Sequence, residues 1–240
     1  MGQKMAILIL IANLKGGVGK STISSILASK FNIKGNKKTC VFNIDKGQSA
    51  ETINEVETID YSSILETDDT IKVSDAIAAM LPEYDYIFID TAGDLSTELI
   101  EIINYIDYFV VPFDRGKRTF EDTITYLNSI FASGIIEDKK EHGITLVFNK
   151  YNNKSDIEEV NSKYRDALIN IATENKLDFD LNFTKLSQSD VVETMEELKA
   201  SADTLVGRNA VAYRIFDSKA EDMYLSVKEH LEKTLKLDRN

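Results

Sequence analysis

The sequence predicts an α/β protein built on a doubly wound, mostly parallel sheet with helices on both faces. Two observations predict it. Five short, continuous apolar runs recur along the chain, and stretches with helical spacing lie between most of them. A glycine-rich segment directly follows the first run and opens the first helical stretch, the order strand, loop, helix. At 240 residues the chain is long enough for a full core and reads as one domain over 1–240, without internal repeat, low-complexity tract or linker.

The first run, "MAILILIA", is too short to span a membrane. It enters the glycine loop without a small-residue cleavage site, so it reads as a central strand and not as a secretory segment. "KTCVFNI" is the second run, and its Cys40 reads as core filling; a single cysteine excludes a disulfide framework and a multi-thiolate cluster. "YDYIFID", "YFVVPF" and "ITLVFN" complete the set, with Pro82 and Pro112 lying beside strand-like runs. Ile23, Ile26, Leu27 and Phe31 mark one helical face, and Leu99, Ile102, Ile103 and Ile106 another. Met223, Val227, Leu231 and Leu235 form an apolar stripe in the last segment, as expected of a helix packed on the sheet. Right-handed crossovers place the loops after the strands at one edge, where ligands collect.

Net charge is −12, which argues against an overall basic nucleic-acid binder. "DIEEV" and "ETMEE" are strongly acidic, whereas from Lys199 onward eight bases face seven acids. Any DNA contact therefore has to come from a local patch. No segment approaches about twenty consecutive apolar residues, so the expected location is cytoplasmic.

"NLKGGVGKST" carries the strongest chemical signal. Backbone N–H groups from Gly16, Gly17, Val18, Gly19, Lys20 and Ser21 can converge on a phosphate because the glycines remove the Cβ obstruction. The helix start adds its positive dipole end. Lys20 is the candidate for the β- and γ-phosphates, Ser21 for Mg²⁺, and Thr22 for an α-phosphate. The usual pattern G-x-x-x-x-G-K-[ST] is not met, since its first glycine falls on Leu14; K-G-G-V-G-K-S stands instead, with a second lysine, Lys15.

This loop resembles the deviant Walker A motif of the ParA/MinD superfamily of P-loop ATPases, and the order of the later motifs is similar from Met5 to at least Lys150. The resemblance implies ATP and Mg²⁺ as ligands and a catalytic role for Lys15, which reaches the nucleotide of a partner subunit. "VFNIDKGQSA" resembles the family's D-x-D-P-Q segment, with Asp45 as its second acid, implying a role with the attacking water. The segment departs from the pattern at Asn43 and at Lys46-Gly47. "YDYIFIDTAGD" looks like a Walker B strand: Asp90 holds Mg²⁺ through water, and Gly93 belongs to a switch loop. "LVFNK" is similar to the strand that ends near the base, so Asn149 is a candidate adenine contact or, equally, a strand-end cap. Arg115, Lys117 and Arg118 read first as a solvated charge run.

The C-terminal part is similar to short ParA-type partition proteins, and no DNA-binding extension precedes Met5. The expected function is thus a nucleoid-associated partition ATPase. ATP closes a sandwich homodimer, the dimer binds DNA non-specifically, and a centromere-binding ParB-type partner stimulates hydrolysis. Lys199, Arg208, Arg214 and Lys219 are the candidate DNA contacts. The alternative is a MinD-like membrane-cycling ATPase, which asks for a basic amphipathic terminus that "KEHLEKTLKLDRN" supplies poorly, so no membrane partner is expected. Small-molecule synthases with the same loop are disfavoured by length, and the nitrogenase iron protein by its need for more thiolates.

Overall fold

The computed structural model describes residues 5–45, 56–91, 96–114, 116–132, 142–151, 157–187 and 207–237. Among them the strands are β1 (Ile7–Ile11), β2 (Thr39–Asn43), β3 (Glu57–Asp60), β4 (Tyr86–Asp90), β5 (Tyr108–Phe113), β6 (His142–Tyr151) and β7 (Phe179–Ser187). The helices are α1 (Lys20–Ile33), α2 (Tyr61–Thr67), α3 (Val73–Met80), α4 (Thr97–Ile102), α5 (Lys117–Ala132), α6 (Ile157–Asn175) and α7 (Gly207–Thr234). All seven strands run parallel in one sheet, ordered β3-β2-β4-β1-β5-β6-β7. This is the predicted α/β class.

The five apolar runs are β1, β2, β4, β5 and β6, the interior of the sheet, where both faces are covered and alternation is lost. Burial splits by face as strand geometry requires. Ile9, Ile11, Val41, Phe88 and Val110 pack with Ile23, Leu27 and Phe31 of α1 and with Met223, Val227 and Leu231 of α7. Leu8, Leu10, Cys40, Phe42, Ile87, Ile89 and Val111 pack with α3, α4, α5 and α6 on the other side. Each buried aliphatic side chain contributes about 1.5–3 kcal/mol, which makes this double layer the main source of stability.

The two edge strands have no such runs and were not predicted. β7 reads Phe179-Asp-Leu-Asn-Phe-Thr-Lys-Leu-Ser187, a period-2 pattern whose Phe179, Leu181 and Phe183 lie against the core while the intervening polar residues face away. β3, "ETID", is four residues long and half-buried, too short for a pattern to show. Pro112 falls inside β5 rather than beside it. Val110 is the last β5 residue in register with β1, so the ring stands where β1 has ended and no ladder donor is missed.

The site position follows from the topology. β1 and β4 are neighbours, yet α1 after β1 covers one face and α4 after β4 the other. The chain diverges at their carboxyl ends and leaves a crevice there.

Candidate functional site

The loop between β1 and α1 opens directly into that crevice. Gly17 (φ +74°) and Gly19 (φ +92°) adopt left-handed backbone, which only glycine reaches without strain. A Cβ at Gly16 or Gly17 would meet nothing within 4 Å, so the loop backbone borders open space. At Gly19 a Cβ would also collide with the Asn149 side-chain amide, which would have to move off Val18 O. Gly19 is also the N-cap of α1. It offers no side-chain cap, and the first turn holds no acid. The first N–H groups of a 14-residue helix are thus left for an external anion, reinforced by the helix dipole.

Asn13, which the sequence reading missed, anchors the loop from beneath. It is fully buried, and its Nδ2 donates to Pro112 O (2.7 Å) and to Thr123 Oγ1 (2.7 Å). Its Oδ1 accepts from Lys15 N at 2.9 Å. One amide thus ties β1, β5 and α5 to the residue carrying the second lysine. The available signal was a polar residue closing an apolar strand immediately before the loop. Val18 is buried, and its carbonyl accepts from Asn149 Nδ2 at 2.7 Å. The structure therefore sets the Asn149 amide against the loop backbone, within β6 beside its register shift.

Lys20 and Lys15 are both half-buried, and Lys20 Nζ lies 3.5 Å from Lys15 O, over the loop. Ser21 and the half-buried Thr22 open α1, and the Ser21 hydroxyl hydrogen-bonds Asp90 at the end of β4. Asp90 is 2% exposed, and its Oδ1 is buried without a hydrogen-bond partner. Burial pushes its carboxyl up to about 6; the Asp45 charge pushes the same way, against Ser21 and Lys20. An orphaned carboxylate oxygen beside a serine hydroxyl is an all-oxygen donor set, and it fits Mg²⁺, which keeps several waters and takes few protein ligands.

Asp45 follows β2 and is half-buried; its N–H donates to Asn43 Oδ1 at 3.0 Å. The backbone joins these parts, since Ile44 N donates to Asp90 O at 3.0 Å and Asn43 is in register with Asp90.

The structure thus brings Lys15, Gly16, Gly17, Val18, Gly19, Lys20, Ser21, Thr22, Asp45, Asp90 and Asn149 to one edge. The basic candidates lie elsewhere. Arg214 and Lys219 are exposed on α7, with Arg208 in its first turn. α7 meets α1 at buried Lys30, which pairs with Asp217 (2.6 Å) and Glu221 (3.1 Å). Lys30 is ten residues along α1 from Lys20, about 15 Å from the loop. Arg118 is exposed, 3.9 Å from Asp122. Lys46, Gly47, Gly93, Arg115 and Lys199 lie outside the described residues.

Comparison with known proteins adds the lineage. Residues 9–238 match the CobQ/CobB/MinD/ParA nucleotide-binding domain. No curated protein matches the chain by sequence. Among solved structures, a plasmid partition protein of Borrelia burgdorferi B31 bound to AMPPNP superposes with TM-score 0.62 at 16% identity, over 93% of this chain and 99% of that one. The pNOB8 ParA bound to nonspecific DNA gives 0.66 at 18% identity over 98% and 100%. The septum site-determining protein MinD of Pyrococcus horikoshii, with Mg-ADP, gives 0.58 at 15% over 91% and 96%. Likeness at such identity shows the shared fold.

Proposed function

The chain belongs to the CobQ/CobB/MinD/ParA nucleotide-binding family, and from that premise we propose that it is a ParA-type ATPase acting in DNA partition. The observation that carries the reading is the pairing of an uncapped, glycine-lined helix start with the buried, half-satisfied Asp90. The first supplies N–H donors and a dipole for a triphosphate; the second offers a buried carboxylate oxygen that a cation would satisfy.

In this reading the loop from Gly16 to Ser21 would wrap the phosphates, Lys20 would neutralise the terminal ones, and Ser21 and, through water, Asp90 would hold Mg²⁺. The metal, when bound, spreads the negative charge that develops on the transferred phosphoryl group. Asp45 orients the water that attacks the γ-phosphorus, giving ADP and phosphate. Phosphoryl transfer needs little covalent help, so positioning and charge do most of the work. Lys15 completes the charge set in trans: two copies face each other across the crevice, and each lends its second ammonium to the other's ATP. Assembly is thereby tied to nucleotide.

The ATP dimer binds DNA non-specifically through α7, with Arg208, Arg214 and Lys219 as contacts together with Lys199, and a centromere-binding ParB-type protein stimulates its hydrolysis. The structural likeness to a ParA bound to nonspecific DNA supports this side of the reading. Among the described residues no helix is long and apolar enough to cross a membrane. The α7 stripe of Met223, Val227 and Leu231 is used up against the sheet, which disfavours the membrane-cycling alternative.

The test measures ATP hydrolysis, dimerisation by light scattering, and retention on DNA across a salt series. ATP-dependent retention that weakens steeply with salt is expected. The Lys15→Ala protein should bind nucleotide yet lose turnover. Unchanged hydrolysis in that variant would remove the trans role, and ATP-dependent sedimentation with liposomes but not with DNA would turn the reading to the MinD type.

A further inference from the structure

We infer that Asp60, at the end of β3, is a positioning residue for ATP hydrolysis that acts through Asn43 on Asp45; the inference rests on the role proposed for Asp45. β2 and β3 run in register so that Asn43 and Asp60 are Cα partners. Asn43 Nδ2 donates to Asp60 Oδ1 at 2.8 Å, and Asn43 Oδ1 accepts from Asp45 N at 3.0 Å. The Asn43 side chain is buried, so its amide is not averaged by solvent.

The direction of this relay follows from donor and acceptor chemistry. The backbone N–H of Asp45 only donates, so the oxygen of Asn43 must face it, and Nδ2 must then face an acceptor. A carboxylate at 60 meets that demand with a charge-assisted bond. It therefore selects one of the two amide orientations of Asn43, and that orientation closes the turn that sets Asp45 at the mouth of the crevice. Asp60 does not serve as a side-chain cap for α2, so that duty does not account for it.

The same geometry accounts for the departure from D-x-D at position 43. A second carboxylate there would stand in register against Asp60 with no proton between them, and like charges at that separation resist joint ionisation. In this chain the amide stands at position 43 and the acid one strand outward, at Asp60 on β3.

The test compares Asp60→Ala, Asp60→Asn, Asn43→Asp and the exchange Asn43→Asp/Asp60→Asn, scoring steady-state ATP hydrolysis, ATP affinity and thermal melting. Asp60→Ala should lower kcat about tenfold through misplacement of Asp45, with ATP affinity within about twofold of wild type. Asp60→Asn keeps an acceptor oxygen and should retain most of the activity. Asn43→Asp should be impaired at neutral pH and recover on acidification, as a proton comes to bridge the two carboxylates. The exchange restores donor against acceptor in the reverse sense and should exceed Asn43→Asp at neutral pH.

Wild-type kcat in Asp60→Ala, or a fall in ATP affinity that matches the fall in kcat, overturns the inference. If Asp60→Ala does not fold, an exchange variant no better than Asn43→Asp overturns it. A wild-type chain that hydrolyses no ATP removes the reading of Asp45 and this inference with it. Active wild type with indifferent variants removes the inference alone.

Discussion

The two ends of the sheet treat buried charge in opposite ways. At the carboxyl ends Asp90 keeps one oxygen without a partner, and burial holds its carboxyl near 6. At the amino ends Asp180, on the edge strand β7, is surrounded: Lys233 Nζ at 3.0 Å, Thr234 Oγ1 at 3.2 Å and His230 Nε2 at 3.2 Å. Burial alone would raise the Asp180 carboxyl, but Lys233 and His230 outweigh it and hold it low. Behind His230 the network continues through Tyr108 to Thr145 (2.6 Å) and from Thr145 to Asn182 (3.2 Å). A cavity of about 540 Å³ opens between β7 and α7 here, lined in part by Asn182, Ser226 and His230. Asn182 bonds Ser226 across it, while His230 Nε2 lies 3.2 Å from Asp180 Oδ1 without a hydrogen bond of good geometry. The difference lies in the partners of the two carboxylates: Asp180 has Lys233 and Thr234 on it, whereas Asp90 Oδ1 has none.

The comparison breaks first at Lys20. Lys20→Ala should reduce ATP hydrolysis by about 100-fold or more, because a preorganised cation facing developing charge is lost. A change of only a few-fold would mean that the loop end is no more reactive than the Asp180 end.

The two ends should also respond to pH with opposite sign. In the unliganded protein Asp90 has a folded value near 6 against an ordinary 3.8. Between those values the native state binds more protons than the unfolded chain, so stability falls as pH rises from about 4 to about 6. The loss is about 3 kcal/mol. Asp90→Asn should therefore melt higher at pH 7 while losing Mg²⁺-dependent hydrolysis, and a lower melting point would refute the unpaired-charge account. For His230, burial lowers the value below its ordinary 6.5, with Asp180 opposing and Lys233 adding to the shift. The unfolded chain then binds more protons on acidification, so this end favours higher pH and loses stability as pH falls below about 6.5. His230→Gln should flatten that part of the melting profile, which a pH series of thermal melts would show.

Smaller effects sharpen the contrast. Gly19→Ala forces a side chain into left-handed backbone and against Asn149, at a cost of about 1–3 kcal/mol in chemical denaturation. Lys30→Met removes the cation between Asp217 and Glu221, whose side chains are 45% and 29% exposed. Water partly compensates them, so about 1–2 kcal/mol is expected in the same assay. A loss well beyond that would mean that α7 is held to α1 mainly by this ion pair and not by its apolar stripe.

Much of this molecule was legible because its signals are local. Continuous apolar runs identify interior strands, and closely spaced glycines after the first run identify a tight loop at a strand-to-helix junction; both follow from backbone sterics and burial on two faces. The edge strands were not read, since β3 is short and β7 alternates apolar residues on the core face with polar ones that hydrogen-bond α7. Nor could neighbouring residues reveal that Asn13 holds the loop from β5 and α5, or that Asn43 leans on Asp60. Those partners lie 99, 110 and 17 positions away and meet only when the sheet is assembled. Side-chain type sets what a group can donate, accept or neutralise. Which group stands opposite, and which buried oxygen is left for a ligand, is decided by strand order and register.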